Sequence, residues 1–295
     1  MTGARGPDRP GVGVALAVLC TVVLWASAFP GIRAGLTGYS PTHLVALRYA
    51  VSAVALALIA PLAGVRVPAR RDALRLAVLG GVGISAYNVA LSLGQTHVSA
   101  GAASLLVNTG PLFTALLAHI FLGERLRGLG WAGLAVSFTG AVVIAFGSGD
   151  DLGLDPWTLL VLLAALFQAV SFVVQKPLYQ AYRPLEIAAY MIWAGAALNL
   201  VLAPGLVDAV RGAPMEATLS VVYLGVFPAA VAYVAWSYVL GRMPASQAGS
   251  YLYSVPVFAF VIAWVWLGEV PDVATVIGGA LALLGVGVVN VSTRG

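Results

Sequence analysis

The chain has 295 residues, of which 61% are hydrophobic and only 9% charged, whereas a soluble globular domain carries about a quarter charged residues. So few charges cannot coat a soluble particle of this size, which excludes a cytosolic enzyme. The net charge of +4 comes from scattered basic residues; without a stripe to follow phosphates, and at this apolar content, nucleic-acid binding and intrinsic disorder are excluded too.

In chain order, ten stretches of about the 20 apolar residues that a helix needs to cross a bilayer are predicted. They lie at 11–34, 41–62, 73–95, 99–121, 128–147, 156–177, 185–206, 217–240, 246–267 and 273–292. The first follows Arg5 and Arg9 and runs into Ala26-Ser27-Ala28, the outline of a cleavable signal peptide. Apolar character returns beyond that point and Pro30 sits close behind it, so the stretch is read as a retained span. It holds Cys20, the sole cysteine, which leaves no disulfide framework and no cysteine-based metal site. Most connectors are marked by Pro, Gly or charge: Pro41, Arg66 to Arg71, Asp150 to Pro156, Arg183-Pro184, Arg211 to Pro214 and Pro271-Asp272. None is long and polar enough for a soluble domain. Val14 to Leu24 and Leu159 to Phe167 are apolar on nearly every face, where the strands of a transmembrane barrel would alternate. The expected fold is therefore an all-α integral membrane protein.

The side on which Lys and Arg fall sets the orientation. With the N-terminus in the cytoplasm, twelve of the fifteen basic residues lie in inner segments, Arg33 and Arg211 lie outside, and Arg48 lies within a span. Seven of the eleven acids fall outside. An even number of spans then places both termini in the cytoplasm.

The chain also matches itself. At an offset of 145, Leu79-Gly80 pairs with Leu224-Gly225, Val89-Ala90 and Ser92 with Val234-Ala235 and Ser237, and Pro111 and Phe113 with Pro256 and Phe258. Leu122-Gly123-Glu124 pairs with Leu267-Gly268-Glu269, and Gly133, Ala135, Gly140 and Val143 with Gly278, Ala280, Gly285 and Val288. At an offset of 143, Ala26, Phe29, Arg33 and Pro41 pair with Ala169, Phe172, Lys176 and Pro184. Two repeats follow, at 11–147 and 156–293. Each contains five spans, an odd number, so the halves are expected to be inverted about an axis in the membrane plane, with a substrate site near the midplane between them. Glu124 then ends its helix at the cytoplasmic face and Glu269 at the outer face.

Trp25-Ala26-Ser27-Ala28-Phe29-Pro30, Pro41 to Arg48, and Ala100 to Leu126 with its Pro111 and Leu122-Gly123-Glu124-Arg125 resemble the EamA domain of the drug/metabolite transporter superfamily. The resemblance covers both halves. The second copy departs from it, with Met191 at the Arg48 position and Val270 where Arg125 would be matched. The resemblance implies a ten-helix secondary transporter, often an exporter of amino acids or other small metabolites.

Polar groups within spans are costly unless they face protein or a wet cavity, which makes them the candidate site. Ser104, Asn108 and Pro111 share one face of the fourth span by their i, i+4, i+7 spacing; their repeat mates are Gly249, Tyr253 and Pro256. Tyr87 and Asn88 lie on the third span, with Tyr233 as the mate of Asn88, and Trp25 on the first span mates with Gln168 on the sixth. Tyr190 and Trp193 add aromatic rings on the seventh. The alternative for these groups is interhelical glue worth about 0.6–2 kcal/mol each, the favoured reading for a single Ser and an even one for Asn108, Gln168, Tyr233 and Tyr253. Arg48 either holds a substrate carboxylate or takes a structural role, snorkelling to the outer interface or bonding helix-end carbonyls; because Met191 replaces it in the second half, the structural role is favoured. Pro111 and Pro256 act as hinges for gating or merely shape the bundle.

No Asp or Glu lies mid-span and there is no Gly-rich Lys motif for ATP, so neither a carboxylate proton relay nor nucleotide hydrolysis is expected to drive transport. His119, near the cytoplasmic end of the fourth span, is read as packed rather than proton-shuttling. No cofactor or metal is expected; the expected partners are a small-molecule substrate and the lipid bilayer. The leading function is alternating-access efflux of small organic metabolites, amino acids or related amphipathic solutes, across a bacterial cytoplasmic membrane. A membrane-embedded enzyme or a non-transporting scaffold is the alternative.

Overall fold

The computed structural model describes residues 11–98, 103, 106–147, 156–258, 262 and 273–292. Among them every regular element is helical. Proline, which cannot donate an internal hydrogen bond, opens several helices. The first half comprises α1 (Val12–Gly35), α2 (Pro41–Ile59), α3 (Arg70–Leu79), a π-helical segment (Gly80–Ala86), α4 (Tyr87–Gly94), α5 (Gly110–Leu122) and α6 (Gly128–Gly147). The second comprises α7 (Pro156–Gln175) with a 3-10 turn (Lys176–Gln180), α8 (Pro184–Val201), α9 (Leu206–Gly212), α10 (Met215–Leu224), a second π-helical segment (Gly225–Val231), α11 (Ala232–Leu240), α12 (Ala245–Ser250) with a 3-10 turn (Tyr251–Ser254), and α13 (Val273–Ser292).

Among the described residues six helical stretches are long and apolar enough to cross a membrane: Val12–Gly35, Pro41–Ile59, Arg70–Gly94, Pro156–Gln180, Pro184–Val201 and Met215–Leu240. Their outward faces carry exposed Leu16, Leu58, Leu74, Leu159, Leu200 and Leu219, an apolar surface suited to lipid and unsuited to water. The interior is divided among a large cluster that includes Leu44, Tyr49, Leu79, Ile84, Ile187 and Leu224, a second that includes Val22, Phe172, Trp236 and Leu252, and a small third that includes Leu134, Tyr253 and Val289.

The boundaries differ from expectation in three places. The stretch predicted at 185–206 stops at Val201, because Ala203 and Pro204 leave the helix and Gly205 takes the left-handed conformation (φ +79°) before the short, solvent-facing α9. Pro111 lies at the start of α5 rather than within a helix, after a turn at 108–109. Pro256 likewise follows the 3-10 turn Tyr251–Ser254. Of the prolines at depth, Pro30 is inside α1 and Pro228 inside the second π segment.

Packing runs reciprocally between the two parts of the chain. α2 lies on α8; the first π segment lies on α8 and the second on α2; α4 lies on α7 and α1 on α11; α5 meets α12 and α6 meets α13. The α6–α13 contact is the closest. A Cβ at Gly140 would stand 2.5 Å from Ala282 N and Gly278 O, so only glycine lets the backbones meet there, the small-residue packing that substitutes for hydrophobic driving force within lipid. Ser137 adds a hydrogen bond to the Ala282 carbonyl at 3.0 Å.

Candidate functional site

One cavity collects residues from α1, α2, α4, α7 and α11 and from the breaks near 107–108 and 252–255. It has about 570 Å³ of empty space including its mouth, of which about 50 Å³ admits the centre of a water-sized sphere. The smaller figure is the one comparable with small-molecule sites and lies below their usual range, so the enclosed part is narrow in this conformation. Its apolar lining comprises Phe29, Ile32, Leu91, Val107, Leu252 and Val255. Its polar and amphipathic lining comprises Trp25, Arg48, Tyr87, Asn88, Asn108, Gln168 and Tyr233.

Trp25 is fixed from several sides. Its indole N–H donates to the Pro228 carbonyl of the second π segment at 3.1 Å. Its ring lies 6.2 Å from Phe172, 5.5 Å from Tyr233 and 5.4 Å from Trp236, separations at which aromatic pairs attract beyond their burial. Arg48 is only 4% exposed. Its Nη1 donates to Asn88 Oδ1 at 3.2 Å, and Asn88 in turn donates to the Ile84 carbonyl at 2.8 Å. The snorkelling expected of Arg48 is not the conformation seen, because the side chain turns into the cavity instead of towards an interface. Buried Arg48 Nε, Tyr49 hydroxyl, Ser52 Oγ and Ser92 Oγ have no hydrogen-bond partner among the described residues.

Of the residues singled out in the sequence, Trp25, Arg48, Tyr87, Asn88, Asn108, Gln168 and Tyr233 thus come together. Tyr190 does not; it packs edge-on against Trp193 at 5.1 Å. Tyr253 is fully buried in a separate cluster with Leu134 and Val289, its hydroxyl unpartnered. Pro111 and Pro256 are buried at helix starts and line no part of the cavity. Ser104 and Glu269 lie outside the described residues.

Charged residues at the helix ends serve the fold. Gly123, left-handed at φ +67°, ends α5 and turns Glu124 towards α12. There the carboxylate accepts from the backbone N–H of Ala245 (2.8 Å) and Ser246 (3.0 Å) and from Ser246 Oγ (2.7 Å), satisfying free donors at a helix start. Lys176 Nζ donates to the carbonyls of Leu240 and Met243 at the end of α11. His119 Nδ1 lies 3.0 Å from the Glu124 carbonyl oxygen. Glu186, with no exposed side-chain surface, binds Arg66 through Nε (2.8 Å) and Nη2 (2.9 Å) and accepts from Arg183 N at 2.8 Å, pinning the α2–α3 connector to the start of α8. The hydrogen bond to that carboxylate raises the Arg66 pKa above its usual value. Among the described residues no three His, Cys, Asp or Glu side chains cluster to hold a metal.

The model of the EamA-like transporter family matches residues 12–146 and 155–291. The chain belongs to this family. A protein of Streptantibioticus cattleyicolor named "Probable terminal-alkyne amino-acid exporter" is 45% identical over 280 residues, 95% of this chain and 94% of the relative. The Bacillus subtilis "Uncharacterized transporter YdfC" is 41% identical over 263 residues, covering 89% and 86%. A solved structure superposes with a TM-score of 0.77 at 22% identity, covering 94% of this chain and 98% of the other, and speaks for the fold alone. This EamA-like protein is accordingly a multi-pass membrane transporter. The apolar lining of its cavity escapes sequence reading, since Phe29, Ile32, Leu91, Val107, Leu252 and Val255 sit in spans that are apolar on every face. Glu186 escapes for another reason. Only the fold brings Arg66 to it, and the available cue was its place at N3 of a helix, where an acid caps the backbone.

Proposed function

We propose that the chain is a secondary transporter of a bacterial cytoplasmic membrane that exports small amphipathic metabolites, amino acids or related solutes, by alternating access through the cavity described above. The observation that carries this reading is the cavity's composition. Residues of both parts of the chain line it, and they combine aromatic and aliphatic groups with amide, phenol and guanidinium groups. Such a site takes a solute with one apolar and one polar end. The name of the Streptantibioticus relative supports a solute of amino-acid type and the outward direction.

Alternating access needs two conformations of similar energy, which two inverted five-helix repeats at 11–147 and 156–293 supply. The reciprocal packing supports such repeats. So do the two π segments: Gly80–Ala86 and Gly225–Val231 are each seven residues long and lie 145 positions apart, the offset of the sequence repeat. π-helical turns are rare and concentrate at functional positions, and here each precedes a chamber residue, Tyr87 or Tyr233. Pro111 and Pro256, at matching helix starts, are the hinges in this reading. Purified protein in liposomes should show counterflow, with a labelled solute entering vesicles preloaded with the same unlabelled solute. A panel of amphipathic metabolites with no exchange above protein-free vesicles would defeat the proposal.

A further inference from the structure

We infer that Arg48 is the anion anchor of the chamber: the solute is bound through a carboxylate that serves as the counterion this side chain lacks among the described residues. The inference rests on the transport reading above and adds the charge of what is carried.

Among the described residues Arg48 is the sole buried Lys or Arg. A cation in a low-dielectric interior is costly unless an anion and a full set of hydrogen bonds accompany it. Every described carboxylate is placed elsewhere. Asp72 is with Tyr182 and Arg75, Glu124 with α12, Glu186 with Arg66 and Arg183, Asp208 with Arg211, and Glu216 is exposed. None lines the chamber. The guanidinium has instead one neutral amide acceptor, Asn88 Oδ1, at 3.2 Å, and a buried Nε–H without an acceptor. A planar guanidinium offers its N–H groups in a fork that matches the two oxygens of a carboxylate. The apolar lining that includes Phe29 and Leu252 then takes the rest of the molecule. Because no described acid balances Arg48, the best-matched ligand carries net charge −1. A zwitterion binds through the same carboxylate, with its ammonium left to ring faces and carbonyls, and an amine is repelled.

The test uses four labelled compounds that share a phenylalkyl body: 3-phenylpropionate, phenylalanine, 3-phenylpropanamide and phenethylamine. Their affinities for the full-length protein in detergent are read by equilibrium dialysis. The two carboxylates should bind about ten- to a hundredfold tighter than the amide, the range of a charge-assisted hydrogen-bonding pair, and the amine should bind weakest. In Arg48→Gln the preference for carboxylates should disappear. Because that variant risks poor folding, Asn88→Asp is the second arm. It places a carboxylate where Oδ1 now stands, 3.2 Å from Arg48, at the cost of the amide's hydrogen bond to Ile84, and should abolish the same preference. Equal binding of amide and carboxylate, a preference that survives both variants, or no binding of either carboxylate would each overturn the inference. The transport reading stands or falls separately, on counterflow with the wider metabolite panel.

Discussion

At the scale of single residues, the same chemical type does different work according to what surrounds it. Glu124 and Glu186 are both carboxylates at helix ends, yet one satisfies backbone donors and the other satisfies arginines. Glu124→Ala strands two N–H groups and a hydroxyl at the start of α12. At about 1.5–3 kcal/mol for hydrogen bonds to a charged group, partly recovered by solvent, a loss of about 2 kcal/mol is expected. Glu124→Gln keeps one acceptor and should lose about half as much; thermal unfolding in detergent, read on both variants, checks the order. Breaking a fully buried ion pair costs about 3–5 kcal/mol. The partners of Glu186 are more than half exposed (Arg66 61%, Arg183 51%) and can return to water, so Glu186→Gln should cost about 1–2 kcal/mol. A larger loss would mean that the α2–α3 connector depends on this contact for its whole course. The residue without such a partner among the described ones is Arg48. Met191, at the position 143 residues later, is buried without any charge.

At the scale of elements, helix pairs are held by how closely backbones approach. In α6, Gly140→Ala pushes a methyl group to 2.5 Å from the backbone of α13. Overpacking of this kind costs about 1–3 kcal/mol. Gly287, on α13 itself, has nothing within 4 Å of an added Cβ, so Gly287→Ala should be neutral or stabilising by up to about 1 kcal/mol. The pair of melting curves separates packing from helix propensity. Most helix positions were legible in the sequence because hydrocarbon length and proline at helix starts leave plain marks. The turn at 108–109, the stop at Val201 and the two π segments were not. These depend on backbone hydrogen bonding that hydropathy does not encode, although the Leu-Gly pair opening each π segment, Leu79-Gly80 and Leu224-Gly225, did surface as a repeat match. In the cavity, Trp25, Asn88, Gln168 and Tyr233 were legible as polar or amphipathic groups out of place in lipid. Tyr253 met the same criterion but packs elsewhere, since helical spacing gives a face and not the neighbour that the face meets.

At the scale of the whole molecule, the sign of charge on each side and the charge of the solute decide direction. In the proposed inverted arrangement Glu124 is inside and Glu269 outside. Single cysteines introduced at the two positions after replacing Cys20 should therefore label from opposite sides of intact cells, and labelling from the same side would end the inverted-repeat reading. Energy supply is the harder question, because no described span carries a mid-depth carboxylate for protons. A solute of net charge −1 bound at Arg48 removes the need for one. Moving one elementary charge through the membrane potential is worth about 2.3 kcal/mol per 100 mV, a gradient of about fifty-fold. In a cell that is negative inside, that work expels an anion. Liposomes loaded with 3-phenylpropionate near pH 7.5, where a carboxyl group of pKa near 4.3 is almost wholly ionised, should therefore release it faster under an inside-negative potassium–valinomycin potential. An inside-positive potential should retain it. Flux indifferent to the sign of the potential would mean that the carried complex gains no net charge with its solute, and export would then run on the solute's own gradient alone.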